Sequence, residues 1–433
     1  MQVSYRPIRV ALLGAGSVGS QVARLLLENR DELAKRVGAE LELSGIAVRN
    51  VSAKRDADLP AELFTEDAES LIIGSDIVIE LIGGIEPAKT WITLALNSGA
   101  DVITANKALI AAHGSELLAL AEQLGAQLYY EAAVGGAIPI IRPLRESLAG
   151  DKINRVMGIV NGTTNYILDQ METTGADFAD ALKEAQDLGY AEADPTADVE
   201  GFDAASKAAI LASLAFHSEV PVGDVHREGI TSISALQIDT ARQSGYTVKL
   251  LAICERVAGE TEGLAVRVHP TLIPDSHPLA AVRGAYNAVF VEAESAGQLM
   301  FYGAGAGGPQ TASAVLGDLV SAAKRHLAGG PGLADSTHAN LPVLPIQAVR
   351  TRFQITLEVQ DQPGVLAAIA SEFASHGVSV ETVAQTVAKD GSAALLTIMT
   401  HSASEGDLEQ LVQSLKRNDF VVRVDSVIRV EGI

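Results

Sequence analysis

The chain has 433 residues, of which 48% are hydrophobic and 20% charged; this composition indicates folded globular domains, and the length excludes one compact core. Lys and Arg number 32 against 54 Asp and Glu, and the resulting formal charge of −22 disfavours nucleic acids and anionic membrane surfaces as partners. The single cysteine, Cys254, excludes an intrachain disulfide, and no sustained apolar run is typical of a membrane span, so we expect a cytoplasmic protein.

The first third of the chain alternates short apolar runs with helix-length amphipathic segments. Strands are predicted at residues 8–13, 41–48, 77–82, 102–104 and 127–130, and helices at 18–36, 87–97 and 107–124. Strands that alternate with helices favour a parallel, doubly wound α/β sheet. We therefore predict a dinucleotide-binding domain of Rossmann type over residues 1–135, to which a helix at 309–327 returns.

The rest of the chain predicts a second domain and a small C-terminal one. Residues 136–308 are mainly helical from 139 to 217 and then β-rich at 247–257, 264–269 and 288–293, which indicates an α+β domain. Residues 328–350 contain several Pro and Gly residues and favour a linker. The last part, 351–433, has a βαββαβ order, with strands predicted at 353–359, 380–388, 393–400 and 421–430 and helices at 364–376 and 405–418.

A glycine-rich string directly follows the first predicted strand and opens the first helix. Its residues are Gly14, Ala15, Gly16, Ser17, Val18 and Gly19. In a dinucleotide fingerprint, the first glycine permits the tight turn, the second allows close approach of pyrophosphate, and the third lets helix and strand pack closely. The alternative is a glycine-rich turn in an unrelated α/β protein.

The end of the second predicted strand carries cations where NAD enzymes usually carry an acid for the ribose hydroxyls. Arg49 follows this strand directly, and Lys54 and Arg55 come shortly after. These side chains would lie near the 2′-phosphate of NADP, so the sequence favours NADP over NAD. The alternative is a solvated basic loop.

Lys107 falls in the first turn of a predicted helix for which Asn106 is the expected cap. A cation there opposes the helix dipole, which favours acids in that position. Since ligands of open α/β sheets bind at the carboxyl ends of the strands, Lys107 and Thr104 are predicted to face the cofactor crevice. The alternative is an ordinary surface lysine.

An acidic segment, residues 189–203, leads into a helix that carries Lys207. On that helix, Lys207 lies one turn beyond Asp203 and shares a face with Ile210 and Leu211. A lysine that is partly buried beside a carboxylate can have its pKa and orientation set for proton transfer. The alternatives are an exposed ion pair and an acidic loop that binds a cation.

The remaining candidates are weaker. Residues 161–166, NGTTNY, follow an apolar run and predict either an anion-binding loop with Thr163 or a plain helix cap. The nine histidines form no HxH or HExxH arrangement, which makes transition-metal catalysis improbable. Cys254 lies in an apolar run and is predicted to belong to the core.

Taken together, these motifs resemble those of homoserine dehydrogenases that carry a C-terminal ACT domain. The most specific matches are GAGSVG at 14, TANKALIA at 104, EAAVGGAIPII at 131, NGTTNYIL at 161, GYAEADPTADVEGFDAASK at 189 and DQPGVLA at 361. The resemblance implies interconversion of L-homoserine and L-aspartate 4-semialdehyde with NADP, or with NAD, in the biosynthesis of threonine, methionine and isoleucine.

The resemblance also implies a role for individual residues. Lys207 would donate a proton to the aldehyde oxygen, and Lys107 would be a second essential lysine near the nicotinamide. Glu192 would bind the substrate ammonium group, which Asp198 and Asp203 would help to orient. Tyr190 and Thr163 would line the same pocket, and Gly303 would contact the cofactor.

Further ligands follow from the same resemblance. A monovalent cation, expected to be Na⁺, would bind main-chain oxygens of Glu131, Val134, Gly136 and Ile138. The C-terminal ACT domain, ferredoxin-like in fold, would bind an amino-acid effector, expected to be L-threonine, through Asp361 and the backbone around Gly364. The assembly would be a homodimer or a homotetramer.

Two other interpretations remain open on the sequence. Aspartate-semialdehyde dehydrogenase acts on the same aldehyde but needs a cysteine nucleophile, and the only cysteine, Cys254, lies in a core-like run. A non-enzymatic amino-acid sensor would need only the C-terminal domain. The lysines at 107 and 207 argue against such a sensor.

Overall fold

The computed structural model describes residues 6–53, 57–258, 262–329, 335–387 and 393–432. Two of the cations predicted at the cofactor, Lys54 and Arg55, lie outside the described residues. The chain forms two compact units. The first unit comprises Met1–Gly162, Ser206–Val222 and Tyr286–Asn340, and the second comprises Thr163–Ala205, Gly223–Ala285 and Leu341–Ile433.

The strands and helices are numbered separately in chain order. The strands are β1 (Ile8–Leu13), β2 (Leu41–Ala47), β3 (Phe64–Thr65), β4 (Ile77–Glu80), β5 (Asp101–Thr104), β6 (Leu128–Tyr129), β7 (Ile153–Ile159), β8 (His226–Arg227), β9 (Tyr246–Val257), β10 (Gly263–Pro274), β11 (Tyr286–Ala293), β12 (Gly297–Ala304), β13 (Arg350–Gln360), β14 (Val380–Val387), β15 (Ala393–Thr400), β16 (Ala403–Ser404) and β17 (Val421–Val430). The helices are α1 (Ser17–Glu28), α2 (Arg30–Val37), α3 (Ala68–Ile73), α4 (Ala88–Asn97), α5 (Lys107–Leu124), α6 (Gly162–Thr174), α7 (Phe178–Asp187), α8 (Thr196–Val199), α9 (Phe202–Phe216), α10 (Ala235–Gln243), α11 (Gly308–Ala328), α12 (Val365–Ser375) and α13 (Glu405–Leu415).

The first unit contains a parallel sheet of six strands in the order β3-β2-β1-β4-β5-β6. The residues of β4 and β5 are all buried, as expected for strands covered by helices on both faces. The strand order reverses between β1 and β4, which is where ligands of such sheets bind. Leu13 pairs with Glu80, and Glu80 with Thr104, so the carboxyl ends of β1, β4 and β5 lie side by side.

Helix α11 belongs to the core of this parallel sheet although it follows the last strand of that sheet at a long distance along the chain. Its buried residues Ala312, Val315 and Leu319 join one hydrophobic cluster with Val10 and Val22. At its start, a Cβ on Gly308 would lie 2.8 Å from the Ser17 carbonyl oxygen, so α11 begins directly against α1. Helix α11 therefore packs on the parallel sheet and on α1.

The first unit also holds an antiparallel set in which β11 pairs with both β7 and β12. The second unit is built on strands in the order β9-β10-β17-β13-β15-β14. Its C-terminal part has the predicted βαββαβ order, and the buried face of β13 packs on α12 and α13 through Phe353, Ile355 and Leu357. The predicted fold class, a mixed α/β chain with a Rossmann-type part and a ferredoxin-like C-terminal module, is confirmed. Among the described residues, no helix is long and apolar enough to cross a membrane.

The local predictions are wrong at several places. The predicted helix over 18–36 is interrupted at Asn29, whose side-chain amide donates to the Leu25 carbonyl at 3.0 Å and caps α1. The sequence does not predict β3, α3, β7 or β12. β3 has only two residues, and β7 carries the polar Asn154 and Arg155, which mask its apolar run. β12 is largely exposed and has glycines near both ends.

Candidate active site

The glycine-rich turn between β1 and α1 has the geometry that a dinucleotide requires. Gly14 has a φ of +98°, which favours glycine, and a Cβ there would lie 2.8 Å from the Leu81 carbonyl oxygen. A Cβ on Gly19 would lie 2.2 Å from the Gly14 oxygen, so α1 packs against the turn without room for a side chain. Next to Gly16 no heavy atom lies within 4 Å of the Cβ position, which leaves open space at the start of α1. The remaining residues of the string, Ala15, Ser17 and Val18, complete the turn and the first helical turn.

Arg49 is exposed and follows the carboxyl end of β2, which terminates at Ala47. The adjacent strand β1 ends at Leu13, directly before the glycine-rich turn, and pairs with Ala47. An exposed guanidinium at this end of the sheet has the freedom to reach an anion held at the turn. The structure therefore leaves Arg49 available for the predicted contact.

A buried polar network holds the loops that follow β4 and β5. Thr104 is fully buried and donates its hydroxyl to Glu80 Oε2 at 2.6 Å, while Glu80 Oε1 accepts from the backbone of Ile82 at 2.8 Å and of Gly83 at 3.2 Å. The hydroxyl of Thr104 also accepts from the Asn106 backbone N–H at 3.0 Å. Glu80 is a residue that sequence reasoning missed, although an acid at the end of an otherwise apolar strand is a detectable signal.

Lys107 is exposed at the first position of α5, and its position is set by the buried residue before it. Asn106 caps the helix as predicted, since its Oδ1 accepts from the Leu109 N–H at 3.1 Å. The other end of the same side chain donates to the Gly84 carbonyl at 2.6 Å. One asparagine therefore ties the start of α5, with Lys107, to the loop after β4.

Lys207 is buried in the middle of α9, with only 8% of its surface exposed. Its Nζ donates to the main-chain oxygen of Val160, just past the end of β7, at 2.7 Å. Burial at this level argues against an exposed ion pair as the explanation of this lysine. The hydrogen bond holds the ammonium group beside the carboxyl end of β7. A lysine ammonium group has three N–H donors in all.

The main-chain oxygens predicted to bind a cation lie on one tight loop. Gly136 has a φ of +60°, and a Cβ there would lie 2.4 Å from the Gly305 carbonyl oxygen. Within the described residues, no backbone N–H bond to the oxygens of Val134, Gly136 or Ile138 is present. Such carbonyls are suitable ligands for a hard cation. Gly303 is near the same loop, since its Cβ position lies 3.3 Å from Ile138 Cγ1.

The side chain of Glu131 has a structural role that the sequence does not predict. Its carboxylate accepts three backbone N–H groups, from Ile140 at 2.6 Å, Ile141 at 2.8 Å and Arg142 at 3.0 Å. Its own backbone N–H donates to Asp318 Oδ2 at 3.0 Å. The Glu131 carboxylate therefore binds the backbone of residues 140–142. A cation could then be bound by the main-chain oxygen of Glu131 but not by its carboxylate.

Asp318 on α11 is the most unusual acid of this region, and sequence reasoning missed it. It is 1% exposed and forms an ion pair with Arg142 at 3.1 Å. Burial raises the pKa of the Asp318 carboxyl to about 7, with the charge of Arg142 opposing the shift and that of Glu131 adding to it. This carboxyl therefore titrates near neutral pH.

In the second unit, the start of α6 is joined to the beginning of the acidic segment. Thr163 is buried and donates its hydroxyl to the Tyr190 carbonyl at 2.7 Å. The rings of Tyr190 and Tyr166 pack with their centroids 4.9 Å apart, and about half of Tyr190 stays exposed. The structure therefore brings Thr163 and Tyr190 into contact. The choice between an anion-binding loop and a plain cap stays open.

The acids of the segment have different exposures. Glu192 is exposed, Asp198 is half-buried in the short helix α8, and Asp203 is buried in the first turn of α9. Asp194 is held locally, because its carboxylate accepts from the N–H and the hydroxyl of Thr196, the first residue of α8. Glu192, Asp198 and Asp203 thus remain candidates for a substrate cation.

Lys249 on β9 is a fully buried lysine that sequence reasoning missed. Its Nζ donates to Asn165 Oδ1 at 3.0 Å and to the Val282 carbonyl at 2.6 Å. Burial lowers the pKa of Lys249 to about 8, although Asp169 nearby opposes the shift. Because Asn165 belongs to the NGTTNY motif, this lysine anchors the helix on which Thr163 lies.

A cavity of about 570 Å³ lies in the first unit against the outer turns of α5 and α9. Its walls include Ile110 and Leu118 of α5 and Ile210 and Leu214 of α9. None of the predicted site residues lines it within the described parts of the chain. Since its walls begin beyond Lys107 and Lys207 along their helices, we assign the cavity no part in the chemistry.

Two further predictions concern the cysteine and metal ligands. Cys254 is 1% exposed, and burial raises the pKa of its thiol to about 12, so it is part of the core as predicted and is not an activated nucleophile. The described residues contain no cluster of three or more His, Cys, Asp or Glu side chains that could hold a metal ion.

The predicted effector residues lie between β13 and α12 in the C-terminal module. Gly364 has a φ of +95° and precedes the first residue of α12, so the turn requires glycine. Asp361 follows the last residue of β13 and is exposed. Both residues thus belong to one exposed turn, which a small ligand could reach.

Comparison with known proteins divides the chain into three matched regions. Residues 14–131 match the family model of the homoserine dehydrogenase NAD-binding domain, residues 139–320 that of homoserine dehydrogenase, and residues 353–420 that of the ACT domain. A homoserine dehydrogenase from Corynebacterium glutamicum is 55% identical over 428 residues, which cover 98% of this chain and 96% of that one.

The chain belongs to the homoserine dehydrogenase family.

Other homoserine dehydrogenases support the assignment over the full length. The protein from Mycobacterium tuberculosis is 52% identical over 435 residues, covering 99% of this chain and 98% of its own. Among solved structures, a homoserine dehydrogenase from Thiobacillus denitrificans matches with a TM-score of 0.91 and 39% identity over 99% of both chains. An archaeal homoserine dehydrogenase in complex with NADPH matches with a TM-score of 0.62 and 28% identity, covering 76% of this chain and 99% of its own.

Membership of the homoserine dehydrogenase family makes this chain an oxidoreductase that acts on a CH–OH group, with an NAD(P)-binding domain and a C-terminal ACT domain. The resemblance found in the sequence is confirmed. The two competing interpretations, aspartate-semialdehyde dehydrogenase and a non-enzymatic sensor, lose their support, the first also because of the buried Cys254.

Proposed function

We propose that this homoserine dehydrogenase reduces L-aspartate 4-semialdehyde to L-homoserine with NADPH, in the route to threonine, methionine and isoleucine. The observation that carries the proposal is the buried Lys207, whose Nζ donates to the Val160 carbonyl at 2.7 Å. A buried, oriented ammonium group is what an aldehyde needs when it gains a hydride, because negative charge then develops on its oxygen.

The chain's own residues supply the proton and the orientation. Bound NADPH supplies the hydride to the aldehyde carbon. Lys207 uses one N–H to hold its position on Val160 and donates a proton from another to the aldehyde oxygen. Lys107 adds a second positive charge near the reacting carbonyl, on a helix start that Asn106 holds in place. In the reverse direction, Lys207 accepts the proton from the homoserine hydroxyl.

The cofactor fits the strand-end turn of the first unit. The open space beside Gly16 accommodates a pyrophosphate against the N–H groups at the start of α1. Arg49, exposed beyond β2, would contact the 2′-phosphate of NADP, and Gly303 would contact the nicotinamide side. Thr104 is fully buried and would act on the cofactor only through the loops that its hydroxyl holds. NADP is therefore the preferred cofactor, because the contact of Arg49 with the 2′-phosphate strengthens its binding relative to that of NAD.

The substrate's two charged groups need partners of opposite sign. The exposed Glu192 would bind the ammonium group, with Asp198 and Asp203 orienting that group and Lys207. Thr163 and Tyr190, joined by their 2.7 Å hydrogen bond, would line the pocket. Donors at the start of α6 suit the substrate carboxylate.

A Na⁺ ion is proposed on the main-chain oxygens of Glu131, Val134, Gly136 and Ile138. The support is that, among the described residues, the oxygens of Val134, Gly136 and Ile138 accept no backbone N–H, and that Gly136 packs on Gly305. The ion would fix this loop and with it the neighbouring Gly303. Activity measured in Na⁺ against an equal concentration of a large organic cation tests the proposal, and equal rates in both would contradict it.

L-Threonine is proposed as a feedback inhibitor that binds the turn containing Asp361 and Gly364. The support is the ACT domain, together with the exposed glycine turn before α12. Asp361→Ala, or truncation after Val343, should relieve the inhibition. Calorimetric titration of the intact protein with L-threonine tests this: no binding would leave the C-terminal domain a dimerisation role alone.

A homodimer or homotetramer in the cytoplasm is the proposed state of the enzyme. The support is β12, a strand with exposed Met300 and Tyr302 whose Tyr302 ring stacks on Tyr286 with the centroids 5.2 Å apart. An edge strand with exposed aromatic residues is a surface that a second copy of the chain can cover. Light scattering coupled to gel filtration measures the assembly.

The central experiment follows NADPH absorbance with L-aspartate 4-semialdehyde as substrate. Turnover is expected, and it should survive Cys254→Ala because this thiol is buried in the core. Absence of turnover with the wild-type protein would defeat the proposed reaction. Loss of turnover in the folded Cys254→Ala variant would instead favour thioester chemistry.

A further inference from the structure

Arg429, near the end of β17, joins the C-terminal module to the rest of the second unit. It is 8% exposed, and its guanidinium is held between two carboxylates. One belongs to Glu405, the first residue of α13 in the module, at 2.5 and 3.0 Å. The other belongs to Glu228, which follows β8 outside the module, at 2.8 and 3.0 Å. Two bidentate pairs on one buried arginine are strong and geometrically specific contacts.

The electrostatics indicate that this arrangement is fixed. Although burial alone would raise it, hydrogen bonds from His226 and Arg429 hold the pKa of the Glu228 carboxyl well below its ordinary value. Although burial alone would lower it, hydrogen bonds to Glu405 and Glu228 raise the pKa of the Arg429 guanidinium. Both of these groups are therefore charged at neutral pH, and removal of one takes a close opposite charge away from the other.

The residues on either side of Glu228 contact the acidic segment, residues 189–203. The Ile230 N–H donates to the Val199 carbonyl at 2.8 Å, and Thr231 Oγ1 donates to Glu200 Oε1 at 3.0 Å. A Cβ on Gly229 would lie 2.4 Å from the Val199 oxygen, so the two backbones touch at this glycine. On the other side of Glu228, Arg227 donates to the Glu200 carbonyl.

Val199 and Glu200 lie between two of the proposed substrate residues, Asp198 and Asp203. The module, Arg429, Glu228 and this part of the acidic segment thus form one continuous set of contacts inside the second unit. Within the module, Arg429 pairs with Phe353 on β13, the strand that runs into the proposed effector turn.

We propose that Arg429 is a positioning residue that couples the C-terminal module to the substrate-binding acidic segment through Glu228. The inference rests on the proposed function of Asp198, Asp203 and the effector turn. It extends that function by assigning the path along which effector binding changes substrate affinity. By linkage, substrate must then change effector affinity by the same factor.

The chain offers a matched control in Arg423, which lies on the same strand. Arg423 also pairs with two carboxylates, Asp425 and Glu358, but both belong to the module, and its side chain is 64% exposed. Arg423→Gln therefore removes the same charge from β17 without touching Glu228.

The experiment compares Arg429→Gln, Glu228→Gln, the double variant and Arg423→Gln in the full-length enzyme. Homoserine oxidation is measured for KM and kcat, and NADPH binding and thermal unfolding are measured in parallel. Arg429→Gln and Glu228→Gln should each raise the KM for L-homoserine by about tenfold with NADPH affinity unchanged. The double variant should be no worse than Arg429→Gln, since each single change already breaks the Arg429–Glu228 pair. Arg423→Gln should behave as wild type.

The second measurement is the linkage itself. L-Threonine is titrated calorimetrically with and without L-homoserine and cofactor. In the wild type its Kd should change several-fold between the two conditions, and in Arg429→Gln it should be the same in both. If Arg429→Gln is too unstable to measure, Glu228→Gln, which keeps Arg429 on Glu405, gives the same comparison.

The outcomes separate this inference from the proposed function. Additive losses in the double variant, or equal KM values in Arg429→Gln, Glu228→Gln and Arg423→Gln, overturn the coupling through Arg429 while leaving the reaction intact. If the wild type does not bind L-threonine, the proposed regulation fails, and the KM values and the double variant alone decide whether Arg429 positions the acidic segment.

Discussion

Exposed and buried charges are held in different ways in two regions of the first unit. At the strand ends of the parallel sheet, Arg49 and Lys107 are exposed, and the backbone beneath them is fixed by buried polar groups and glycine turns. In the interior, Lys207 and Asp318 are buried, and each is fixed by a specific group, the Val160 carbonyl or the Arg142 guanidinium.

The difference predicts different responses to mutation. An exposed charge on a rigid turn can be removed with little effect on folding, because it was never taken out of water. A buried charge is costly to place and depends on its partner, so its removal changes catalysis, stability or pH dependence more strongly. The largest effect is therefore expected at a buried group.

Lys207→Ala should lower kcat by a factor of about 10² to 10⁴, the usual range for the loss of a general acid, with NADPH affinity nearly unchanged. Stopped-flow turnover and fluorescence titration of NADPH measure the two quantities. Lys183→Ala, on the exposed face of α7, is the matched control and should be neutral. An equal loss of cofactor affinity would make Lys207 a structural residue.

Asp318→Asn should change how the free energy of unfolding depends on pH. The folded-state pKa of about 7 lies above the ordinary value, so the stability that the protonated carboxyl contributes is present at low pH and is lost as the pH rises towards about 7. Relative to the variant, the wild type should lose several kcal/mol between the ordinary carboxyl pKa of about 4 and a pH of about 7. Denaturant unfolding at several pH values measures this, and parallel curves for both proteins would contradict it.

Arg49→Ala should weaken NADPH binding by about tenfold and NADH binding hardly at all, because only NADPH carries the 2′-phosphate that a guanidinium can clamp. The Kd of each cofactor is measured by titration. Arg36→Ala, an exposed arginine on α2 paired with Glu32, serves as control. Comparable losses with both cofactors would show that Arg49 does not read the phosphate.

Asn106→Ala should have the smallest effect, about 1 kcal/mol of stability for the lost cap, together with a several-fold lower kcat because Lys107 is displaced. Asn106→Asp keeps the acceptor for the Leu109 N–H but loses the donor to the Gly84 carbonyl, and so separates the two contacts. A kcat equal to that of the wild type in both variants would mean that Lys107 needs no positioning from this side chain.

The strand-end region was the more predictable from sequence. Short apolar strands, the spacing of Gly14, Gly16 and Gly19, and the cap at Asn106 are local signals, and all of them are present in the structure. The same holds for the C-terminal module, where the predicted strands 393–400 and 421–430 match β15 and β17. The roles of the site residues stay predictions.

The buried region was less predictable because its contacts join residues distant in sequence. Sequence places Lys207 on an apolar helix face but cannot name Val160 as its partner. Asp318 and Glu131 are 187 residues apart, and in the second unit the partners Arg429 and Glu228 are likewise 201 apart. Elements such as β12, whose glycines and exposed residues hide its strand character, are likewise defined by their neighbours.

The late position of α11 in the chain has a consequence for synthesis on the ribosome. The cluster that contains Val10 and Val22 also needs Val315 and Leu319, so this core stays open until α11 has been translated. The hydrophobic core of the C-terminal module, in contrast, is formed by residues that are contiguous in the chain. We therefore expect the first unit to complete its core only after residues 308–328 have been translated, whereas the core of the module can form from one uninterrupted stretch of chain.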